Sequence, residues 1–347
     1  RGPIKFDKDG QLDPSILKSF SENGFYILEN VLKTDELQDI EADVEDILDR
    51  LPSEKGSVVD SKGRPALAAD CKGRNLNWAQ PLGDPLGGSE TNHGRHQVQM
   101  TEPKASINAP KEVVYVILGS LQFSEACLRV YGHPDLLAVA EAINGADFVP
   151  FNEALFLKEP GRDASVAWHQ DGFTHWDNPN LDEGTHGFSF MAQLFGCTPA
   201  NGLWVVPGSH KRGKLDITTM LKRGEADRIP EAVPMVCSPG DVAICNRQAV
   251  HGSFANTSQD WRVTVNFGFH RRSSVLNVES GGIHNDVAIY DSQRIEERSR
   301  LIAYAINARH ERFPSETPYV YQPFEGRMDN FRWDNTCLLY TSPSPRD

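Results

Sequence analysis

PGDVAICNRQAVHGSFANTSQDWRVTVNFGF, residues Pro239–Phe269, holds the pattern that decides the fold. A Pro-Gly-Asp turn opens a short apolar run, Val242–Cys245. A second run leads through Val250 into His251. In the third, Arg262, Thr264 and Asn266 alternate with Val263, Val265 and Phe267. Period-two alternation puts these two sets on opposite faces of a strand. Similar runs, rich in β-branched and aromatic residues, continue upstream as far as Gly145. They predict strands at 147–158, 165–171, 187–197, 202–206, 233–237, 241–246, 249–254 and 261–270. Asn201-Gly202, Pro207-Gly208 and Pro239-Gly240 supply turns between them. Short strands in this number, after a helical region, predict a mainly β protein with flanking helices. Its core is a jelly roll, a cupin-like double-stranded β-helix.

Working outward, residues 15 to 50 read as helical with one extended break at Phe25–Leu28. Thr34 is an N-cap candidate, and Leu37, Ile40, Val44, Ile47 and Leu48 recur at helical spacing. Further helices are expected over 113–131 and from Pro134 to Ile143, where Asn144-Gly145 is a stop signal. Residues 51–112 are rich in Gly, Pro, Ser and Lys and lack periodicity. Such a segment is either a polar surface loop or a lid over a substrate, and it carries His93, Arg95 and His96. No internal repeat or linker divides the chain. One domain is therefore expected over 1–336: a helical flank to about 146, the jelly roll over about 147–272, and a helical extension over about 273–336. Residues 337–347 read as a foreign or disordered tail. The chain opens on Arg1, so its start says little about a leader.

The 347 residues carry 35 Lys and Arg against 48 Asp and Glu, a net charge of −13. That balance argues against nucleic acid or an anionic membrane surface as the partner. No apolar run approaches the roughly 20 residues of a membrane span. The six cysteines are scattered with no CxxC pair, which argues against a zinc ribbon or a disulfide framework. A reducing, cytoplasmic setting is expected.

Three features carry chemistry. In Trp168-His169-Gln170-Asp171, residues 169 and 171 leave the same face of the expected strand. An imidazole beside a carboxylate is two-thirds of a facial metal site. His251 begins a strand remote in sequence, and a closed or sandwiched sheet can bring it to the other two. Two His and one carboxylate with open positions opposite is the donor set of non-heme Fe(II) oxygenases. Arg262 stands on the polar face of its strand, a face that fits either solvent or a pocket. Inside a pocket, a guanidinium wants a carboxylate ligand.

Together these pieces resemble the phytanoyl-CoA dioxygenase family of Fe(II)- and 2-oxoglutarate-dependent oxygenases. Asn23–Leu32 is similar to the N-terminal signature, Phe156–Pro160 to the strand before the metal motif, and Asn201–His210 to the middle signature. Trp168–Asp171, Pro239–Asp241 and His251–Ser253 complete the resemblance, and Arg262 follows His251 by the expected 11 residues. The resemblance implies that His169, Asp171 and His251 hold Fe(II). It implies that Arg262, helped by Ser253, holds the distal carboxylate of 2-oxoglutarate, with Gln170 and Asn152 either supporting the metal ligands or contacting the cosubstrate. Lys158, Arg271 and Arg272 are the alternatives to Arg262. His210 would have a structural role, and His175 and Trp176 would either face substrate or pack as an aromatic loop. O₂ is the second cosubstrate, and succinate and CO₂ are co-products. The carboxylate at 171 favours hydroxylation over halogenation, in which relatives carry a small residue there. A small-molecule substrate is implied, with no bound nucleic acid or membrane. The alternatives are another oxidation on the same scaffold, such as desaturation or epimerisation, and a non-catalytic jelly roll that binds a small ligand.

Overall fold

Residues 149–158 and 262–270 form the two longest strands, and they pair antiparallel with Arg262 opposite Lys158 and Asn266 opposite Ala154. They anchor a computed structural model that describes residues 1–71, 74–171, 186–280 and 288–334. The strands in chain order are β1 (Gly2–Pro3), β2 (Phe25–Glu29), β3 (Leu76–Ala79), β4 (Val113–Leu118), β5 (Val149–Lys158), β6 (Val166–His169) and β7 (Gly187–Gln193). Next come β8 (Trp204–Val205), β9 (Val233–Pro234), β10 (Val242–Asn246), β11 (His251–Ser253), β12 (Arg262–His270), β13 (Glu279–Ser280) and β14 (Ala288–Ile289). The helices are α1 (Pro14–Asn23), α2 (Thr34–Asp49), α3 (Thr91–Gly94), α4 (Glu125–Tyr131), α5 (Pro134–Asn144), α6 (Ile217–Leu221), α7 (Arg272–Val275) and α8 (Ser292–Arg312).

The large sheet runs β1-β2-β10-β7-β12-β5-β4-β3, and a smaller one runs β6-β11-β8-β9. Cross-strand register sorts the large sheet into two faces. Val263, Val265 and Phe267 stand beside Leu157, Leu155, Ala192 and Phe190 on one face. That face packs with Tyr131, Leu137 and Ile302 of the helical layer into the main core. Tyr131 meets Phe267 with ring centroids 5.1 Å apart. The other face carries Arg262, Thr264 and Asn266 with Lys158, Phe156, Ala154, Gln193 and Met191. It looks toward the small sheet, since Met191, Ala243 and Cys245 share a buried cluster with Val205, Met235 and Ala249. Arg262, Thr264 and Asn266 are 3%, 0% and 8% exposed, so the polar face of β12 is buried between the sheets and is not a solvent face. Two apposed sheets with buried polar residues between them are the jelly roll the sequence leads one to expect.

The elements start and stop where local chemistry dictates. Asp13 caps α1 by accepting the Ser15 N–H at 2.8 Å, and Pro14 takes the first turn. Gly24 ends that helix at φ 80°, and a Cβ there would lie 2.5 Å from the His210 ring. His210 in turn contacts the Ser21 carbonyl through Nε2 at 3.0 Å, which latches α1 to the segment after β8. In the turn before β10, the Gly240 carbonyl accepts from Val31 and Leu32, and Asp241 accepts from Asn30 and Ser238. The Pro-Gly-Asp turn thereby ties the N-terminal segment to the large sheet.

Four expectations need correction. Residues 113–131 are not one helix: Val113–Leu118 is β4, paired with β3 and β5, and helix begins only at Glu125. The run Val-Val-Tyr-Val-Ile-Leu is β-branched and aromatic, and the open edge of β5 gives it a partner. The irregular segment 51–112 contributes β3 and α3. Thr34 is the first residue of α2, and Glu36 secures the start by accepting the Lys33 N–H at 2.9 Å. The strand expected over 165–171 stops at His169. His175, Trp176 and the tail 337–347 lie outside the described residues. No described helix is long and apolar enough to cross a membrane.

Candidate metal centre

β6 and β11 run antiparallel with His169 directly opposite His251, their ring centroids 4.2 Å apart. Each ring is held by its own strand. His169 Nδ1 lies 2.8 Å from the Ala167 carbonyl, and His251 Nδ1 lies 2.9 Å from the Ala249 carbonyl. A carbonyl can only accept, so Nδ1 carries the hydrogen and Nε2 presents a lone pair. Asp171 lies just past the end of β6, where its N–H donates to the Arg247 carbonyl at 2.8 Å. Its carboxylate oxygens are 3.5 Å from His169 Nε2 and 3.9 Å from His251 Nε2. One donor atom from each of the three residues lies within 4.8 Å of the others. Two imidazole lone pairs and one carboxylate are the donors a facial metal site requires, so the residues fit an iron ion.

Protonation suits the same purpose. Burial, reinforced by the neighbouring His169, pushes His251 down to about 4. Burial alone would raise the pKa of Asp171, but Arg95, His169 and Arg247 outweigh it and hold the carboxylate well below the usual range. Near pH 7 His251 is therefore neutral and Asp171 ionised, as metal ligation demands.

The close approach of β11 to β6 depends on Gly252. A Cβ there would meet the Val166 carbonyl at 3.0 Å and the Trp168 nitrogen at 3.1 Å. Gly252→Val is expected to destabilise the fold by roughly 1–3 kcal/mol through overpacking and to weaken metal binding by parting the two His. Thermal melts and iron titration together check this. A variant with parental iron affinity would show that the spacing of the strands is not what sets the site.

Arg262 lies on the facing sheet. Its Nε donates to Thr264 Oγ1 at 2.9 Å and its Nη1 to the Asn201 carbonyl at 3.2 Å. The Thr264 hydroxyl donates onward to Gln193 Oε1 at 2.9 Å. No carboxylate forms an ion pair with this guanidinium among the described residues. Burial lowers its pKa, with Cys197 and Asp163 opposing the shift. A buried cation without an anion is costly, and an anionic ligand would relieve that cost.

The model of the family described as phytanoyl-CoA dioxygenase matches residues 20–264, most of the chain. The chain belongs to the phytanoyl-CoA dioxygenase family. Its relatives include phytanoyl-CoA dioxygenase 1 of Oryza sativa subsp. japonica, 31% identical over 114 residues, 29% of this chain and 37% of the relative. Another is L-proline trans-4-hydroxylase of Streptomyces griseoviridis, 26% identical over 117 residues, 33% of this chain and 43% of the relative. The matches thus span less than half the length of these curated relatives. Among solved structures, EctD from S. alaskensis with 2-oxoglutarate and 5-hydroxyectoine superposes with a TM-score of 0.53 at 20% identity. That likeness covers 79% of this chain and 81% of EctD, and it concerns the fold alone. The family is one of iron- and 2-oxoglutarate-dependent oxygenases.

The remaining expected site residues of this phytanoyl-CoA dioxygenase family member divide. Ser253 is buried two residues beyond His251 on β11. Asn152 lies on the pocket face of β5, with its Oδ1 buried and without a hydrogen-bond partner. Gln170 spends its side chain on backbone beside the metal strand. Its amide nitrogen donates to the Gly213 and Gln248 carbonyls at 3.0 and 2.7 Å, and its oxygen accepts from Leu215 N at 2.9 Å. With both donors spent on backbone, it pins the segment after β8 to the metal strand and offers no donor to a cosubstrate. Lys158 pairs with Asp163 at 3.0 Å, Arg271 donates to the Ile143 carbonyl, and Arg272 lies 4.0 Å from Asp147. His210 lies against α1, away from the triad.

Two further groups reach the centre, one from the segment that reads as a loop or a lid and one from a strand connection. Arg95 and His96 come from the irregular segment: Arg95 Nη1 donates to Asp171 Oδ1 at 2.8 Å, and the His96 ring lies 4.4 Å from that of His169. His93 is a residue whose side chain lies outside the described set. Arg247, between β10 and β11, brings its Nε to 3.8 Å from Asp171 Oδ2. A cation in a strand connection normally reads as solvent-facing, and only its setting between two expected core strands marks Arg247.

Proposed function

We propose that the protein is an Fe(II)- and 2-oxoglutarate-dependent dioxygenase that hydroxylates an unactivated C–H bond of a small molecule, releasing succinate and CO₂. The observation that carries this reading is the convergence of the His169 and His251 Nε2 lone pairs on Asp171, both rings locked from behind by backbone carbonyls. His169, Asp171 and His251 would hold the iron, which supplies O₂ activation coupled to decarboxylation of 2-oxoglutarate. Arg262 would bind the distal carboxylate of 2-oxoglutarate, with Ser253 beside it. Thr264 and Gln193 hold the Arg262 fork in place by the hydrogen-bond chain described above. Arg262 is buried and the triad is mostly so, which strengthens the charge interactions among them. Hydroxylation is favoured over halogenation because Asp171 fills the third protein position and leaves no protein-vacated place for a halide. The Streptomyces relative, whose name records hydroxylation of L-proline, supports the same choice. The five described cysteines are free thiols, in keeping with a cytoplasmic setting, and residues 1–336 would act as one oxygenase unit.

The test is direct. Purified protein is expected to bind one Fe(II) per chain, and His169→Ala or His251→Ala to abolish that binding. Under O₂, a metabolite panel screened for succinate release should give a product heavier than its substrate by one oxygen atom. Stoichiometric iron retained in both variants would remove the site. Succinate formed alongside a dehydrogenated or isomerised product would replace hydroxylation by another oxidation.

A further inference from the structure

We propose that Arg95, His96 and Arg247 form a recognition site for an oxyanion on the substrate, a carboxylate or a phosphate, directly beside the metal-binding triad. The proposal deepens the oxygenase reading and rests on it for the ligand role of Asp171.

The segment that carries Arg95 and His96 is a built structure. The buried carboxylate of Asp84 accepts from the Gly87 N–H at 2.9 Å and from the Met100 N–H at 2.7 Å, clamping both arms of the loop. The Gly88 N–H donates to the His96 carbonyl at 2.8 Å, closing it further. Arg247 is fixed equally well. Its guanidinium carbon sits 3.3 Å from the centroid of the Phe151 ring, and its Nη1 contacts His270 Nε2. The groups are therefore held in place before any ligand arrives.

Their polar atoms are under-used. His96 is 0% exposed, and neither of its ring nitrogens has a hydrogen-bond partner. Arg95 Nε is buried without a partner as well. A buried polar group left unpaired costs about 1–3 kcal/mol, so these atoms point to a missing ligand group. The charges give the same indication. Asp171 is the one carboxylate in ion-pair contact with either Arg95 or Arg247 among the described residues. Once Asp171 ligates iron, its single charge cannot also neutralise two guanidiniums. The dianionic cosubstrate would be engaged by the iron and Arg262. Iron, the buried Arg247 and Arg262 and the partly buried Arg95 then outweigh Asp171 and 2-oxoglutarate, and the site is left with surplus positive charge. An oxyanion on the substrate removes the surplus and supplies acceptors for Arg95 and His96 at once.

The experiment uses the full chain loaded with Fe(II) and 2-oxoglutarate without O₂, titrated calorimetrically with acetate and with inorganic phosphate. Wild type is expected to bind one equivalent of at least one probe, and the preferred probe separates a carboxylate from a phosphate substrate. Arg95→Gln and Arg247→Gln should each weaken that binding at least roughly tenfold, the equivalent of about 1.4 kcal/mol. His96→Leu should weaken it several-fold. Arg95→Lys and Arg247→Lys keep the charge and should retain part of the affinity, which guards against a loss caused by misfolding. Iron affinity decides between recognition and mere positioning of Asp171. Removing a cation beside the metal should leave iron binding equal or tighter, whereas a positioning role predicts weaker iron binding. Absence of binding by wild type, unchanged affinity in both Gln variants, or weaker iron binding with intact anion binding overturns the proposal. Wild type that takes up iron but no 2-oxoglutarate overturns the oxygenase reading instead, and the same anion titrations on the iron-only protein then decide this proposal.

Discussion

Asp171→Ala is expected to abolish hydroxylation and to cut iron affinity by more than roughly 100-fold. Loss of an outer-shell partner of a metal ligand typically costs about 10–100-fold in affinity or activity, and Asp171 would be a ligand itself. A second penalty comes from its neighbours. With the carboxylate gone, Arg95, at 2.8 Å from Asp171 Oδ1, and Arg247, at 3.8 Å from Oδ2, face the cation with no intervening negative charge. The variant therefore loses attraction and gains repulsion, both in a cleft that screens poorly. Asp171→Asn keeps the volume but not the charge, and should fall close to the alanine variant, because the deficit is electrostatic. Binding of 2-oxoglutarate through Arg262 should outlast iron binding in both. Iron titration and product formation measure the effect, and a variant that hydroxylates like the parent would show that the pairing of His169 with Asp171 is incidental.

The β core was legible because its signals are local. Each of the eight expected strands from 147 to 270 has a counterpart, from β5 to β12, since alternation and turn dipeptides act within a few residues. Val113–Leu118 was misread because a short apolar run is ambiguous between helix and strand until a partner edge is known, and that edge is β5, some 40 residues on. The triad was legible by motif, but its geometry was not. What places His251 against His169 is the cross-strand register and the bare Cα of Gly252, neither visible before the strands are paired. Arg247 was illegible, and Arg95 and His96 were legible only as residues of a segment that reads either as a surface loop or as a lid, for a related reason. A polar residue in a loop carries no mark that tells solvent from a buried cleft, and only tertiary placement shows that His96 is fully enclosed. Gln170 shows the converse. Its position between two metal-ligand candidates suggested a cosubstrate contact, yet alternation turns it away from them and onto the backbone of Gly213, Leu215 and Gln248.

Arg262→Leu is expected to weaken 2-oxoglutarate binding at least tenfold while changing iron affinity little. The guanidinium belongs to the large sheet and the triad to the small one, so iron binding does not depend on it directly. Thr264 and the Asn201 carbonyl take two of its five N–H donors and fix its plane, leaving the others for a carboxylate. Charge-assisted hydrogen bonds of this kind contribute about 1.5–3 kcal/mol, and each 1.4 kcal/mol is about tenfold in affinity. Among the described residues no cation beside Arg262 is free to take over. Lys158, directly across the sheet, is already committed to Asp163 at 3.0 Å and to the Phe254 carbonyl at 3.2 Å. Arg262→Lys should recover part of the loss, since it restores charge without the planar fork. Thr264→Val should cost less than Arg262→Leu, because it removes the orienting acceptor and leaves the cation. Titration of 2-oxoglutarate into the iron-loaded variants reads all three. An affinity in Arg262→Leu equal to that of wild type would mean that the anion is held elsewhere, and that this buried guanidinium serves only to join β12 to the turn at Asn201.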